Sequence, residues 1–195
     1  MNWQKDPASA GAEGGEAGNG WRPPLRFRAA TPADAGAIVA LVESAYRGHA
    51  SRAGWTTEAD LLDGRRTNTD DVLAHIARPR SQVLLAFRGH ALVACAHVAV
   101  EDGAGYFGMF SVLPTLQRSG VGKAMMAEAE RIARDQYGML VMRMTVIDVR
   151  DELIAWYERR GYRRTGTKKP FPYGDERFGI PLREDLRFEV LEKAL

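Results

Sequence analysis

Residues 117–123 read QRSGVGK and separate two strongly patterned segments. Before them, residues 106–113 (YFGMFSVL) form an apolar run that Pro114 ends, which predicts a buried strand because proline cannot donate to a β ladder. After them, apolar residues recur at helical spacing and predict a helix that ends at about residue 137. A glycine-containing turn between a strand and a helix directs several unpaired N–H groups, and the positive end of the helix dipole, at one point. The segment therefore predicts a site for a phosphate or pyrophosphate group.

The spacing of this loop differs from two familiar phosphate-binding motifs. A Walker loop requires glycine at position 117 and serine or threonine at position 124, where the chain has Gln117 and Ala124. A dinucleotide-binding turn requires a third glycine where Met125 stands. A nucleotide-binding module of either kind is therefore disfavoured. Arg118 and Lys123 still supply positive charge for another phosphate ligand.

The order Gln-Arg-x-Gly-x-Gly between a strand and a helix resembles the coenzyme A pyrophosphate loop of the GNAT superfamily of N-acetyltransferases. The resemblance implies acetyl-CoA as the cofactor, and it implies contacts from the whole loop: Gln117, Arg118, Ser119, Gly120, Val121, Gly122 and Lys123. In the family, the preceding strand offers backbone N–H groups to the cofactor and to its thioester carbonyl. This places Phe110, Ser111 and Val112 along the pantetheine arm, where such donors would stabilise an oxyanion.

A second segment, residues 150–162 (RDELIAWYERRGY), is similar to the family's Asn-x-x-Ala-x-x-x-Tyr-x-x-x-Gly-Phe sequence. Tyr157 falls on the family tyrosine, which commonly acts as the general acid that protonates the departing thiolate. A phenol suits that role because its pKa of about 10 keeps it protonated at neutral pH. The alternative is a core tyrosine packed beside Trp156.

Two positions of this segment depart from the family pattern. Leu153 replaces the alanine, and Arg150 stands where the family often has asparagine. Arg150 is predicted to contact a cofactor phosphate or the backbone, and the alternative is a surface arginine on the first helical turn. The contact that asparagine makes in the family is therefore not carried over.

Composition and charge exclude several classes of function. With 195 residues, of which 45% are hydrophobic, the chain is long enough for one good-sized core. We expect a disordered tail over residues 1–24 and a single domain over residues 25–195. The 27 basic and 25 acidic residues leave a net charge of +2, so no broad attraction to nucleic acid or to membranes is implied. Cys95 is the only cysteine, which excludes an intramolecular disulfide and favours a reducing, cytoplasmic location.

Hydrophobic periodicity predicts the order strand, helices, three strands, helix, strand, helix and two strands. Residues 57–64 are predicted to form one of the early helices, short, capped and ended by glycine. The order resembles the GNAT fold, an α/β (α+β) arrangement. In that fold, helices cover both faces of a mixed, mostly antiparallel central sheet of about six to seven strands.

The reaction implied by the resemblance is direct attack of an amine on the acetyl thioester, and it requires a base. An aliphatic amine with a pKa of about 10 is almost wholly protonated at neutral pH. In many family members a carboxylate on or beside the strand preceding the loop takes this proton, but residues 106–113 contain none. Glu101 in the preceding turn and His97 on the neighbouring strand are the candidates, although both residue types are more often structural than catalytic.

Irregular segments supply the candidate acceptor contacts, since loops on a rigid scaffold commonly carry recognition. Arg47, Arg52 and Trp55 are candidates for one such wall, and the alternative for their segment is a loop pinned to the core. Tyr173 lies in a second segment, a loop rich in proline and glycine. The predicted acceptor is a primary amine of a small molecule or a protein amino group, and homodimer formation stays open. The alternative is a non-catalytic acyl-CoA-binding or sensing domain, which the missing strand carboxylate supports and Tyr157 opposes.

Overall fold

The computed structural model describes residues 23–195, so the predicted disordered tail lies outside the described residues except for its last two positions. The strands are β1 (Leu25–Ala29), β2 (Leu62–Asp63), β3 (Ser81–Arg88), β4 (Ala91–Glu101), β5 (Ala104–Val112), β6 (Val141–Ile147), β7 (Arg163–Pro170), β8 (Ile180–Pro181) and β9 (Arg187–Ala194). The helices are α1 (Ala35–Tyr46), α2 (Gly48–Ser51), α3 (Thr69–Ala77), α4 (Val121–Arg131) and α5 (Asp151–Glu158).

Seven of the strands form one mixed sheet in the spatial order β1, β3, β4, β5, β6, β9, β7, and β2 pairs with β8 in a separate ribbon. Every neighbouring pair in the large sheet is antiparallel except β5 and β6. Helices α1 and α3 pack on one face of the sheet, whereas α4 and α5 pack on the other. The predicted fold class is confirmed.

The two faces of the sheet can be followed along β3, where side chains alternate between two hydrophobic clusters. Val83 and Leu85 pack with the α1 cluster, whereas Leu84 and Ala86 pack with the α4 and α5 cluster. This is the period-two pattern of a strand that is buried on both faces. Cys95 lies in the α1 cluster, where burial raises the pKa of its thiol to about 12 and keeps it unreactive.

One of the local predictions was wrong. Residues 57–64 form turns and the short strand β2 instead of a helix, because Leu62 pairs with Pro181 and the carbonyl of Leu61 accepts a hydrogen bond from the N–H of Leu182. The helix predicted to end at about residue 137 does end there, and it is α-helical as far as Arg131 and π-helical over its last turn, Ile132–Gln136. At residues 57–64, long-range pairing thus overrides local helical propensity.

The parallel strands β5 and β6 pair over a short stretch only. Gly105 pairs with Met142 and Tyr106 with Arg143, and no further pairs follow along these strands. On its other side, β5 carries a bulge against β4, where residues 109 and 110 lie opposite Ala96. The second half of β5 is therefore left without a partner strand on the β6 side, and this gap holds the site described below.

Gly105 is required at the point where β5 and β6 still touch. A Cβ atom at this position would lie 2.9 Å from the Cβ of Ala133 and 3.0 Å from the Sδ of Met142. We expect Gly105→Ala to lower the free energy of unfolding by about 1 to 3 kcal/mol through overpacking. Gly36→Ala in α1, where a Cβ atom would meet open space, is the matched control and should raise stability by up to about 1 kcal/mol. Urea denaturation measures both, and equal stabilities would contradict the packing argument.

Candidate active site

Two cavities lie along the gap beside β5. The larger has a volume of about 400 Å³ and the smaller about 220 Å³. Both are lined by the same four side chains, Tyr46, Phe110, Leu153 and Tyr157. The two cavities therefore meet at the unpaired half of β5, and they are candidates for the two halves of one site.

The predicted phosphate loop forms one end of the smaller cavity. Arg118 and Gly120 adopt left-handed backbone conformations, with φ angles of +68° and +87°, and these turn the chain into α4. Within residues 23–195, the N–H groups of residues 120–123 have no hydrogen-bond acceptor. They therefore present free donors at the positive end of the helix dipole.

Three cationic side chains, Arg118, Lys123 and Arg160, surround these amides in the smaller cavity. The guanidinium of Arg160 stacks 3.5 Å from the centroid of the Trp156 ring, and burial lowers its pKa. A Cβ atom on Gly122 would lie 3.3 Å from Phe110 and 3.6 Å from Trp156, so this glycine keeps the approach to the loop narrow but open. Free amides and positive charge in a glycine-lined cradle fit a diphosphate.

Gln117 ties the loop to a distant segment of the chain. Its side-chain oxygen accepts from the N–H of Trp55 at 2.8 Å, and its nitrogen donates to the Oγ1 of Thr56 at 2.8 Å and to the carbonyl of Val112 at 3.3 Å. Gly54 packs so closely that a Cβ atom there would lie 2.7 Å from the amide. The side chain of Gln117 is thus engaged within the protein, and it positions the loop.

Tyr157 lies where the two cavities meet. Its side chain is buried, and its hydroxyl has no hydrogen-bond partner among the described residues. Burial raises the pKa of this phenol, so it carries its proton at neutral pH. Tyr46, on the opposite wall, donates its hydroxyl to the carbonyl of Phe110 and thereby holds the bulged part of β5.

The larger cavity contains a buried cluster of charged side chains around Glu58. One carboxylate oxygen of Glu58 accepts from Arg47 at 2.7 Å, and the other accepts from Arg150 at 2.9 Å. Arg66 approaches to 3.7 Å. Burial alone would raise the pKa of Glu58, but the three guanidinium groups outweigh burial and lower it. Glu58 is therefore a structural anion and not a proton acceptor.

This cluster determines where the predicted cofactor contact Arg150 points. Its guanidinium pairs with Glu58 and donates to the carbonyl of Thr56 at 2.6 Å, and it lines the larger cavity and not the smaller one. We therefore assign Arg150 to the wall of the larger cavity instead of to the phosphate loop.

The two candidate bases line the larger cavity. The Nε2 of His97 lies 2.8 Å from the Oγ of Ser81, whose single hydrogen is donated to the carbonyl of His75 at 2.8 Å. His97 must therefore donate from Nε2, which leaves its Nδ1 unprotonated. Burial, with a contribution from His75 and Arg78, lowers the pKa of His97 to about 3. Glu101 accepts a hydrogen bond from Arg78 at 2.8 Å.

The four candidate acceptor contacts lie away from the larger cavity. Arg47 is one layer behind its wall, Trp55 lines the smaller cavity, and Arg52 pairs with Asp60 on the surface at 2.8 Å. Tyr173 is 44% exposed, and its hydroxyl accepts from the N–H of Leu186 at 2.8 Å.

The residues that do line the larger cavity, and that the sequence did not single out, include Tyr46, Glu58, Arg66, Tyr106 and Phe188. Tyr106 had one available signal. It stands two positions before Gly108, where a Cβ atom would lie 2.2 Å from the Tyr106 hydroxyl, so the glycine makes room for the ring on the same face of β5.

The family of the chain is established by a family model described as "Acetyltransferase (GNAT) family", which matches residues 38–162, more than half of the chain. The chain belongs to the GNAT family of acetyltransferases. The matched range of this GNAT protein begins in α1 and ends just after α5, so it includes the phosphate loop and Tyr157. No curated protein matches the sequence.

Solved structures share the fold of this GNAT protein at low sequence identity. The ribosomal-protein-S18-alanine N-acetyltransferase from Escherichia coli is 14% identical, with 88% of this chain and 94% of that chain covered and a TM-score of 0.63. A ribosomal-protein-alanine N-acetyltransferase from Brucella melitensis is 18% identical, with 87% and 99% covered and a TM-score of 0.64. A GNAT family acetyltransferase from Elizabethkingia anophelis with acetyl-CoA bound is 15% identical, with 65% and 80% covered and a TM-score of 0.54.

Within residues 23–195, no helix combines the length and the hydrophobicity needed to cross a membrane.

The lowered pKa of His97 generates a prediction about acid stability. Because the pKa falls from 6.5 to about 3 on folding, the unfolded chain binds the proton more tightly, and stability is lost as the pH drops below 6.5. We expect the free energy of unfolding to fall by roughly 2 kcal/mol between pH 7 and pH 5. His97→Gln should remove a large part of this dependence in urea denaturation. The control His90→Gln, at an exposed position in the β3–β4 turn, should retain it, and an unchanged dependence in His97→Gln would overturn the interpretation.

The free amides of the loop generate a second prediction. We expect Gly120→Glu to abolish coenzyme A binding in isothermal titration calorimetry, because it places a carboxylate where the amides and cations converge. Gly138→Glu is the matched control, since that glycine also has a positive φ of +69° but lies beyond the far end of α4. It should lower stability and spare affinity. Unaltered affinity in Gly120→Glu would remove the loop from the binding site.

Proposed function

We propose that this GNAT protein transfers an acetyl group from acetyl-CoA to the amino group of a small molecule or a protein by direct attack. The observation that carries the proposal is the meeting of two cavities at Phe110 and Tyr157. One cavity ends at free amides and positive charge, and the other has room for an acceptor. The acetyl-CoA in the solved structure from Elizabethkingia anophelis is a further support.

The groups that line the smaller cavity are chemically suited to bind coenzyme A. The N–H groups of residues 120–123, with Arg118 and Lys123, would hold the diphosphate, while Phe110 and Val112 would flank the pantetheine arm. When bound, acetyl-CoA supplies an activated acyl group as a thioester. The unpaired half of β5 leads from the loop toward Tyr157, and its main-chain donors would stabilise negative charge on the acyl oxygen.

Tyr157 is proposed as the general acid. Its buried phenol holds a proton at the junction, where the departing sulfur would need one. Burial penalises a phenolate, but it penalises a thiolate as well, and the transfer of a proton from one to the other leaves the buried charge unchanged. The raised pKa of Tyr157 is therefore compatible with this role.

The base is proposed to be Glu101, acting through water. Both candidates line the larger cavity, but His97 is buried, and its Nε2 is engaged with Ser81. The carboxylate of Glu101 is 35% exposed and keeps contact with solvent beside its partner Arg78. His97 is assigned a positioning role through its contacts with Ser81 and His75.

Release of free thiol from acetyl-CoA in the presence of a panel of amines tests the proposal. Amine-dependent release with an acetylated product supports acetyl transfer. Tight binding of acetyl-CoA with no release for any amine would overturn the proposal and favour the alternative of an acyl-CoA-binding domain, which the absence of a carboxylate from β5 supports.

With the active amines, we expect Tyr157→Phe to lower kcat by about 100-fold while the Kd for coenzyme A stays unchanged, because only the proton donor is lost. Tyr162→Phe is the matched control. Tyr162 is also buried, but its hydroxyl lies 3.1 Å from Glu130 and it lines neither cavity, so its loss should leave kcat unchanged. An unaltered kcat in Tyr157→Phe would exclude Tyr157 as the acid.

A further inference from the structure

We infer that the acceptor is a free α-amino acid with an apolar or aromatic side chain, and that Arg66 binds its carboxylate. The inference rests on the proposed function and specifies the substrate class of the same site. It follows from three observations. Within residues 23–195, Arg66 is the one arginine lining the larger cavity whose guanidinium has no hydrogen-bonded counter-ion. That guanidinium lies over the ring of Tyr46, whose hydroxyl contacts β5, and one wall of the cavity is apolar.

Arg66 is left without a hydrogen-bonded partner because the other two arginines occupy Glu58. The carboxylate of Glu58 accepts one hydrogen bond on each oxygen, from Arg47 at 2.7 Å and from Arg150 at 2.9 Å. The Nε of Arg66 remains 3.7 Å from Glu58, which is beyond hydrogen-bond distance. Its guanidinium donates to no acceptor within residues 23–195, and the side chain is 30% exposed to the cavity it lines.

The remaining acids near this wall have other partners. Glu43 accepts from the backbone N–H groups of Arg66 and Thr67, at 2.6 Å and 3.1 Å. Across the cavity, Glu101 accepts from Arg78, and the carboxylate of Asp71 accepts from the side chain of Asn68 at 2.7 Å. Asn68 is neutral, so Asp71 keeps its charge, and the three guanidinium groups of the wall are matched by the carboxylates of Glu43, Glu58 and Asp71. What distinguishes Arg66 is its unused N–H donors, which suit an anionic ligand such as a carboxylate.

The position of Arg66 relative to β5 selects the kind of anion. The Cζ of Arg66 lies 5.5 Å from the centroid of the Tyr46 ring, and the hydroxyl of Tyr46 donates to the carbonyl of Phe110. The guanidinium thus lies over the face of a ring whose hydroxyl contacts the strand proposed to carry the thioester. In an α-amino acid the nitrogen and the carboxyl carbon share one Cα and lie only about 2.5 Å apart. A carboxylate bound at Arg66 would therefore place the amine beside β5.

The far wall of the larger cavity is apolar and suits the side chain of such an acceptor. It includes Phe171 and Phe188, with ring centroids 5.4 Å apart, together with Met144, Val146 and Ile147. Burial of an apolar side chain on this surface contributes about 25 cal/mol per Å². The cavity thus offers a guanidinium near β5 and an apolar wall, with the polar side chains of His97 and Glu101 also in its lining.

Matched acceptors test the inference in the wild-type protein. L-phenylalanine and L-leucine are compared with phenethylamine and isoamylamine, which are the same molecules without the carboxylate. We expect kcat/KM to be about 10 to 100 times higher for the amino acids, since a charge-assisted hydrogen bond is involved. Equal or faster acetylation of the decarboxylated amines would overturn the inference and leave the proposed function intact. Absence of thiol release for every amine would instead overturn the proposed function itself.

Variants of Arg66 test whether this side chain causes the preference for amino acids over amines. We expect Arg66→Gln to lower kcat/KM for the amino acids by about 10 to 100 times, mainly through KM, and to change it less than about twofold for the amines. Arg66→Lys should restore part of the loss. Arg65→Gln, at the adjacent exposed position, is the control and should change neither. An unchanged Kd for coenzyme A shows that Arg66→Gln is folded. If kcat/KM fell equally for amino acids and amines, a role for Arg66 in carboxylate binding would be contradicted.

Discussion

The separation of β5 from β6 after two paired residues is the constraint on which the rest of the site depends. If β5 and β6 were paired along their whole length, the N–H groups of each strand would donate hydrogen bonds to the carbonyl groups of the other. Here the second half of β5 bulges against β4, and the Tyr46 hydroxyl takes up the carbonyl of Phe110. Helix α5 follows β6, so the divergence of the strands also determines where Tyr157 lies. The cavities are thus a consequence of incomplete pairing.

Two polar clusters hold separate chain segments around this gap. Glu58 joins Arg47 at the end of α1 to Arg150 at the start of α5, and Gln117 joins the loop before α4 to residues 54–56. The ions are buried, and a buried charge is tolerated only when its partners satisfy it. The same segment, residues 54–58, therefore supports both cavities, through the loop on one side and through the charged cluster on the other.

Features encoded locally could be predicted from the sequence. The strand, glycine turn and helix around Gly120 follow from hydrophobic period and glycine spacing, and the position of Tyr157 follows from a short matching segment. The direction of Arg150 could not be predicted, because it depends on Glu58, 92 positions earlier in the chain. Residues 57–64 carry the composition of a helix, but their pairing with β8 is a contact made across the fold.

The acceptor wall shows a further limit of prediction from sequence. Arg52 and Tyr173 were selected because they lie in irregular segments, yet an irregular segment does not indicate which of its side chains face inward. Arg66 faces inward because Glu43, on α1, binds the backbone at residues 66 and 67.

The cluster around Glu58 has a consequence for how this chain can change over evolutionary time. Glu58 interacts with three arginines from three segments of the chain. Substitution of one arginine is therefore expected to cost less stability than substitution of Glu58. Replacement of a single arginine leaves the acid with two partners, whereas loss of the acid leaves three like charges together in a confined space. Leaving even one buried ion uncompensated costs about 3 to 5 kcal/mol, a large share of the stability of a domain of this size. The wall of the larger cavity can therefore change more readily by substitution of one of the arginines than by substitution of Glu58.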